Sequence, residues 1–149
     1  MTSRILFVCL GNICRSPMAE GVFRARAEAA GLIVEVDSAG TSNWHIGKPP
    51  DARAVKAAAA RGVDISEMRA RQVTASDMID FTHVLAMDQS NLTKLRAISS
   101  CRTAPQSFLD YAPGMGISEV PDPYYDDSFD TALDLIEAAS EGLIRALKG

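Results

Sequence analysis

The sequence predicts an α/β fold: a Rossmann-like, four-stranded parallel sheet flanked by helices on both faces, in one domain over residues 1–149. Three observations predict it. Apolar runs such as Ile5–Cys9 and Thr82–Ala86 lack the alternation of a half-solvated strand, as strands buried on both faces do. Segments with helical signals separate these runs, and strand–helix alternation implies parallel pairing through right-handed crossovers. A chain of 149 residues suits one sizeable core.

Ile5–Cys9 is the first expected strand. Ser16 then offers an N-cap and Pro17 a first helical position, with Glu20 in the opening turn. This helix should run to about Ala30 and stop at Gly31. Leu32–Val36 reads as a second strand, and Gly40 to Pro50 as a loop rich in Gly, Pro, Ser and Asn. A second helix spans about Ala52 to Arg61, closed by Gly62. Thr74 and Asp77 resemble a capping box for a short third helix. Thr82–Ala86 is the third strand, Asn91 to Ala97 is helical, and a weak fourth strand falls near Thr103–Gln106. After a loop with Pro113, Gly114, Gly116, Pro121 and Pro123 comes a final helix from about Phe129 to Leu147. Its apolar face holds Phe129, Ala132, Leu133, Ile136, Leu143 and Leu147.

Composition removes several function classes. A net charge of −4 argues against nucleic acid as the main partner, although Arg69 and Arg71 make one local basic pair. No apolar run approaches the roughly 18 residues of a membrane span, and the run Ile5–Leu10 is too short for a signal-peptide core, so a cytoplasmic location away from membranes is expected. Three cysteines form an odd set, unlike a disulfide framework. Cys9 and Cys14 lie too close for the usual zinc spacings, and only His45 and His83 are on hand to complete a site. The reading therefore includes no metal and no cofactor. It leaves open a monomer or a weak dimer.

Ligands of such folds bind beyond the carboxyl ends of the strands. The segment VCLGNICRSP, Val8 to Pro17, leaves the end of the first strand and runs straight into a helix. That path places the backbone amides of Leu10, Gly11, Asn12, Ile13, Cys14 and Arg15 around an anion, and the helix dipole adds to the nest. Gly11 permits a turn that a Cβ would obstruct. The planar fork of Arg15 matches two phosphate oxygens. A phosphate cradle needs no sulfur at its base, so Cys9 carries further information. A nest that holds a dianion also stabilises a thiolate, bringing a thiol down from about 8.5. Ser16 stands ready to donate to that sulfur. The implied reaction is displacement at phosphorus through a phosphocysteine, with Arg15 and the amides holding the equatorial oxygens.

The leaving oxygen needs a proton. Asp122, in EVPDPYYDD, lies between two prolines that stiffen its loop. Its carboxyl group can protonate the leaving oxygen and then activate water. Tyr124 and Tyr125 beside it suit the wall of a cleft for an aromatic substrate.

CLGNICRSP near the N-terminus, SAGTSNW after the second strand and DPYY near the C-terminus together resemble the low-molecular-weight protein tyrosine phosphatases. The resemblance spans nearly the whole chain, making residues 1–149 one phosphatase domain. It implies that Cys9 is the nucleophile, Arg15 the phosphate ligand and Asp122 the general acid. It also implies that Asn12 and Ser38 hold the loop's shape, that Ser16 stabilises the thiolate, and that Ile13, Trp44, Tyr124 and Tyr125 line the mouth. Its partners would be phosphotyrosine-containing proteins. Phosphoarginine-specific relatives tend to carry Thr where Ile13 stands and to lack the paired tyrosines. The resemblance further implies a reversible disulfide between Cys14 and Cys9. One departure is visible: Met68 occupies a place where some members carry His. An arsenate reductase on the same fold is the alternative, but it needs two further relay cysteines, and after Cys14 only Cys101 remains. Cys101 is read as core, and His83 as structural.

Overall fold

The computed structural model describes residues 2–98 and 103–149. Cys101, expected in the core, lies outside the described residues. Strand β1, Ser3–Cys9, is central, and Ile5 to Val8 are wholly buried. It pairs in parallel with β2, Val34–Gly40, on one side and with β3, His83–Ala86, on the other; β4, Gln106–Ser107, completes the sheet order β2-β1-β3-β4. Helix α1 is Arg15–Ala29, α2 Ala52–Ala59, α3 Asp77–Asp80, α4 Gln89–Arg96 and α5 Phe129–Lys148. The expected α/β architecture with a four-stranded parallel sheet is the observed one.

Alternation along β1 sorts the two layers. Ile5, Phe7 and Cys9 belong to the larger core with α1, α2 and α5, while Leu6 and Val8 pack with Met78, Leu92 and Leu95 from α3 and α4. Phe7 meets Phe23 and Phe108 edge to face at centroid distances of 5.7 and 4.9 Å. Each such buried ring stabilises the fold by roughly 1.5–3 kcal/mol. The predicted apolar face of α5 is inward: Phe129, Ala132, Leu133, Ile136 and Leu143 are buried, and Leu147 is packed at the edge.

Several boundaries move, each for a physical reason. Helix α1 starts at Arg15, so Ser16 is its second residue and Pro17 its third; no side chain caps it, because the Ser16 hydroxyl faces Cys9 and Asn12 instead. Glu20 falls in the second turn. At the other end Gly31, at φ 71°, stops the helix, and the Leu32 amide closes back on the Ala27 carbonyl. Strand β2 therefore begins at Val34, later than expected. It then runs through Asp37, Ser38, Ala39 and Gly40, which the sequence reading left outside the strand, because their backbone pairs with β1 as far as Cys9 opposite Gly40. The fourth strand shrinks to Gln106–Ser107 beside Leu85 and Ala86. Thr74 and Asp77 do exchange the reciprocal bonds of a capping box, at 2.8 and 3.3 Å. Of the basic pair, Arg71 is spent on Asp37 and Asp77, while Arg69 is exposed and donates to the carbonyls of Ser66 and Met68. No helix among the described residues is long and apolar enough to cross a membrane.

Candidate active site

The carboxyl end of β1 opens onto a cavity of about 270 Å³. Its lining includes Cys9, Leu10, Gly11, Ile13, Cys14 and Arg15 from the loop, Trp44 and His45 from the loop after β2, and Asp122, Tyr124 and Tyr125 from the loop before α5. Residues predicted for one site from three distant segments are thus together. Asn12, Ser16 and Ser38 lie just beneath, all buried. Cys14 is a free, buried cysteine, and Met68 packs partly buried against the main core. His83 stands at the opposite end of the sheet, where Thr82 holds its ring nitrogen and burial keeps it below its ordinary value.

Close packing and one unusual residue fix the loop. Asn12, not Gly11, takes the left-handed conformation, at φ 57°; its short polar side chain is repaid locally. Gly11 lets the His45 ring pack on the loop: a Cβ there would stand 2.9 Å from that ring and displace it. Gly40 lies against the loop from β2, where a Cβ would stand 2.8 Å from the Leu10 carbonyl oxygen. The Leu10 and Cys9 carbonyls accept from the Ser42 and Thr41 amides, and the Ile13 carbonyl from the Asp51 amide, each within 2.8–2.9 Å.

A polar chain under the loop has one consistent direction. The Glu20 carboxylate accepts from the Ser38 hydroxyl at 2.7 Å and from Arg24 at 2.6 Å. Ser38 has then used its proton, so it accepts from the Asn12 amide nitrogen at 3.0 Å. The Asn12 amide cannot flip, because its oxygen takes the Arg71 N–H at 3.0 Å. Its second N–H goes to Ser16 at 2.8 Å. That leaves the Ser16 proton for the Cys9 sulfur, 3.0 Å away, in preference to the Ala39 carbonyl at 3.4 Å. The Asn12 backbone N–H points to the same sulfur at 3.2 Å.

Arg15 has a side chain only 3% exposed. One guanidinium nitrogen donates to Asp88 at 2.6 Å and to the Val120 carbonyl at 3.1 Å; the other lies 3.4 Å from an Asp122 oxygen. Burial pushes this guanidinium down, but the facing Cys9 sulfur and the Asp88 and Asp122 carboxylates outweigh it and hold it above its ordinary value. Removing one partner of such a pair costs about 3–5 kcal/mol, because the other charge stays buried. Burial, with the charges of Asp51, Cys9 and Asp122, pushes the Cys14 thiol strongly up. The other carboxylate oxygen of Asp122 accepts the Tyr124 amide at 3.1 Å, which aims the side chain into the cleft. Trp44 and Tyr125 form an exposed rim, at 64% and 75% exposure.

Sequence reasoning missed Asp88, His45, Glu20 and Arg53. Asp88 carried a usable signal: it follows the third apolar run directly, at a carboxyl strand end, and it caps α4 through the Asn91 amide. Among the described residues no cluster of His, Cys, Asp or Glu could hold a metal ion.

Known proteins give the arrangement its family. A family model described as low molecular weight phosphotyrosine protein phosphatase matches residues 4–149. The chain is 40% identical to the Bacillus subtilis low molecular weight protein-tyrosine-phosphatase YfkJ, covering 97% of this chain and 95% of that one. It is 45% identical to a Streptomyces coelicolor low molecular weight protein-tyrosine-phosphatase, covering 99% and 95%. The crystal structure of YfkJ superposes with a TM-score of 0.94 at 39% identity, over 99% of this chain and 96% of that one. A drosophila arginine phosphatase superposes with a TM-score of 0.91 at 30% identity, over 97% and 98%. Loop, acid segment, sheet and relatives agree: this chain belongs to the low molecular weight phosphotyrosine protein phosphatase family and is a hydrolase.

Proposed function

We propose that this phosphatase removes phosphate from phosphotyrosine in protein substrates, with Cys9 as nucleophile. The observation that carries the assignment is the pair of donors, Ser16 Oγ and the Asn12 N–H, aimed at the Cys9 sulfur at the base of a cavity whose wall is Arg15. Arg15 and the amides from Leu10 to Arg15 hold the three equatorial oxygens as phosphorus passes to sulfur. Asp88 and the Val120 carbonyl fix the plane of the guanidinium, so little reorganisation is left for the reaction. Asp122 delivers its proton to the departing phenolic oxygen, then takes one from the water that attacks the phosphocysteine. Asn12 and Ser38 set the loop through the chain described above.

The rim supports tyrosine. Ile13, Trp44, Tyr124 and Tyr125 make an apolar, aromatic mouth, which favours a phenyl ring over a short aliphatic ester or a charged guanidino group. Phosphate release from phosphotyrosyl, phosphoseryl and phosphoarginyl peptides, measured side by side, tests this. Phosphotyrosine is expected to exceed the other two in kcat/KM by about 100-fold or more. Faster release from phosphoarginine would move the chain to the activity named for the drosophila neighbour. Thiol-dependent reduction of arsenate without phosphate release would revive the reductase alternative.

We also propose that Cys14 guards Cys9. Peroxide converts the Cys9 thiolate to a sulfenic acid; the Cys14 thiol condenses with it, forming the disulfide and releasing water. With the Cys14 thiol pushed up by burial, Cys9 is the first sulfur oxidised or alkylated. Mild peroxide should therefore inactivate the protein, a thiol should restore it, and mass spectrometry should find a Cys9–Cys14 bond. Its absence removes the guarding role.

A further inference from the structure

Arg53 lies outside the reacting groups, on the first turn of α2, yet it touches both loops of the site. Asp51 caps α2 by accepting the Arg53 amide at 2.8 Å, and the Asp51 amide donates to the Ile13 carbonyl of the phosphate loop at 2.8 Å. The guanidinium grips the Asp51 carboxylate with two nitrogens, each at 3.0 Å. That grip is the leading reason why the Asp51 carboxyl sits below the ordinary carboxylate range. From there the same group reaches across to the acid loop. It donates to the Tyr124 carbonyl at 3.2 Å and to the Asp127 carboxylate. It also stands over the Tyr124 and Phe129 rings, 5.5 and 5.1 Å from their centroids.

What it grips needs holding. Residues 116–128 contain no helix or strand, and Asp127 occupies the left-handed region at φ 60°, which a non-glycine residue adopts only when its surroundings impose it. Inside this segment the local ties are short-range: the Asp122 carboxylate to the Tyr124 amide, the Asp127 amide to the Pro123 carbonyl at 2.9 Å, and the Ser128 amide and hydroxyl to the Asp126 carboxylate at 3.1 and 2.6 Å. Arg53 lies against the same turn, at Tyr124 and Asp127. Upstream, the segment is anchored at Val120, whose amide bonds the Met87 carbonyl and whose carbonyl takes Arg15; downstream of Asp122, Arg53 is the contact that ties the turn to the phosphate-loop side.

We propose that Arg53 is a positioning residue, a strap that fastens the acid loop to the phosphate loop through Asp51 and so aims Asp122 at the leaving oxygen. This rests on the reading of Asp122 as the general acid. The planar fork is essential to it: lysine carries the charge but cannot serve Asp51, the Tyr124 carbonyl and Asp127 together.

Two measurements on the full chain test the strap. In Arg53→Met the Tyr124 and Asp127 amides should exchange hydrogen about 10-fold faster or more, with exchange in β1 unchanged. In the same variant kcat/KM for phenyl phosphate, a poor leaving group, should fall about 10-fold, while p-nitrophenyl phosphate stays within about twofold. Arg53→Lys should recover only part of the loss. In an Asp122→Ala background, Arg53→Met should add nothing further. Unchanged exchange at the two amides overturns the strap, whatever Asp122 does. A loss equal on both substrates, or one that persists without Asp122, overturns the positioning role. Failure of the acid reading itself looks different, because Asp122→Ala alone would then lose both substrates equally.

Discussion

Cys9→Ser is expected to release no measurable phosphate from an aryl phosphate, a loss of about four orders of magnitude or more. An isothermal binding titration with phosphate or a phosphotyrosyl peptide should change by less than about fivefold, because the Arg15 fork and the loop amides remain. The substitution exchanges one atom, and the donors from Ser16 and Asn12 that face the sulfur at 3.0 and 3.2 Å would then face a hydroxyl. A hydroxyl stays protonated at neutral pH and has no base beside it: the nearest partners donate or are already committed. A serine variant retaining a tenth of the activity would show that Cys9 is a small residue closing the end of β1 and that the chemistry lies elsewhere.

Asp122→Ala should separate substrates by their leaving groups. For phenyl phosphate kcat/KM should drop about 1,000-fold, the middle of the range for a lost general acid. For p-nitrophenyl phosphate, whose phenolate departs without help, the loss should be at least 10-fold smaller. Using kcat/KM keeps the later hydrolysis of the phosphocysteine out of the comparison, so only the acid role is read. The carboxylate also faces Arg15 at 3.4 Å, and a residue that merely neutralised the guanidinium would lower both rates together. Equal losses would therefore reassign Asp122 to charge balance.

How much of this was legible in the sequence depends on the range of the interaction. Cys9, Arg15 and Ser16 were readable because strand, loop and helix start follow one another in ten residues, and their chemistry is a local pattern. Asp122 and the paired tyrosines were readable through residue type and flanking prolines. Ser38 came only through a family likeness, since nothing near it says that its hydroxyl links Asn12 to Glu20 across the sheet. Asp88 and Arg53 act through partners 73 and 71 residues away, at Arg15 and the Tyr124 carbonyl, and no periodicity encodes such a meeting. Gly11 reads as the residue that permits the turn because a Cβ there is obstructed, and a hypothetical Cβ does meet the His45 ring, but the left-handed position falls one residue later. Asn12 holds that position, since three side-chain hydrogen bonds, to Ser16, Ser38 and the Arg71 amide, offset the strain. The second strand was cut short at Val36 because pairing with β1 keeps a polar stretch extended that hydrophobicity alone would release.

Gly40, pressed against the Leu10 carbonyl, packs β2 against the loop through backbone alone. The loop's main-chain amides are the same in every sequence, so apart from Cys9, Arg15 and the close-packed glycine, substitutions have little hold on how the anion is gripped. The rim is different: Trp44, Tyr124 and Tyr125 are exposed side chains that can be exchanged without disturbing the sheet, with half-buried Ile13 and His45 beside them. Divergence in what such a protein accepts has room at the entrance and almost none at the bottom, which leaves the grip on phosphate invariant while the molecule carrying it changes.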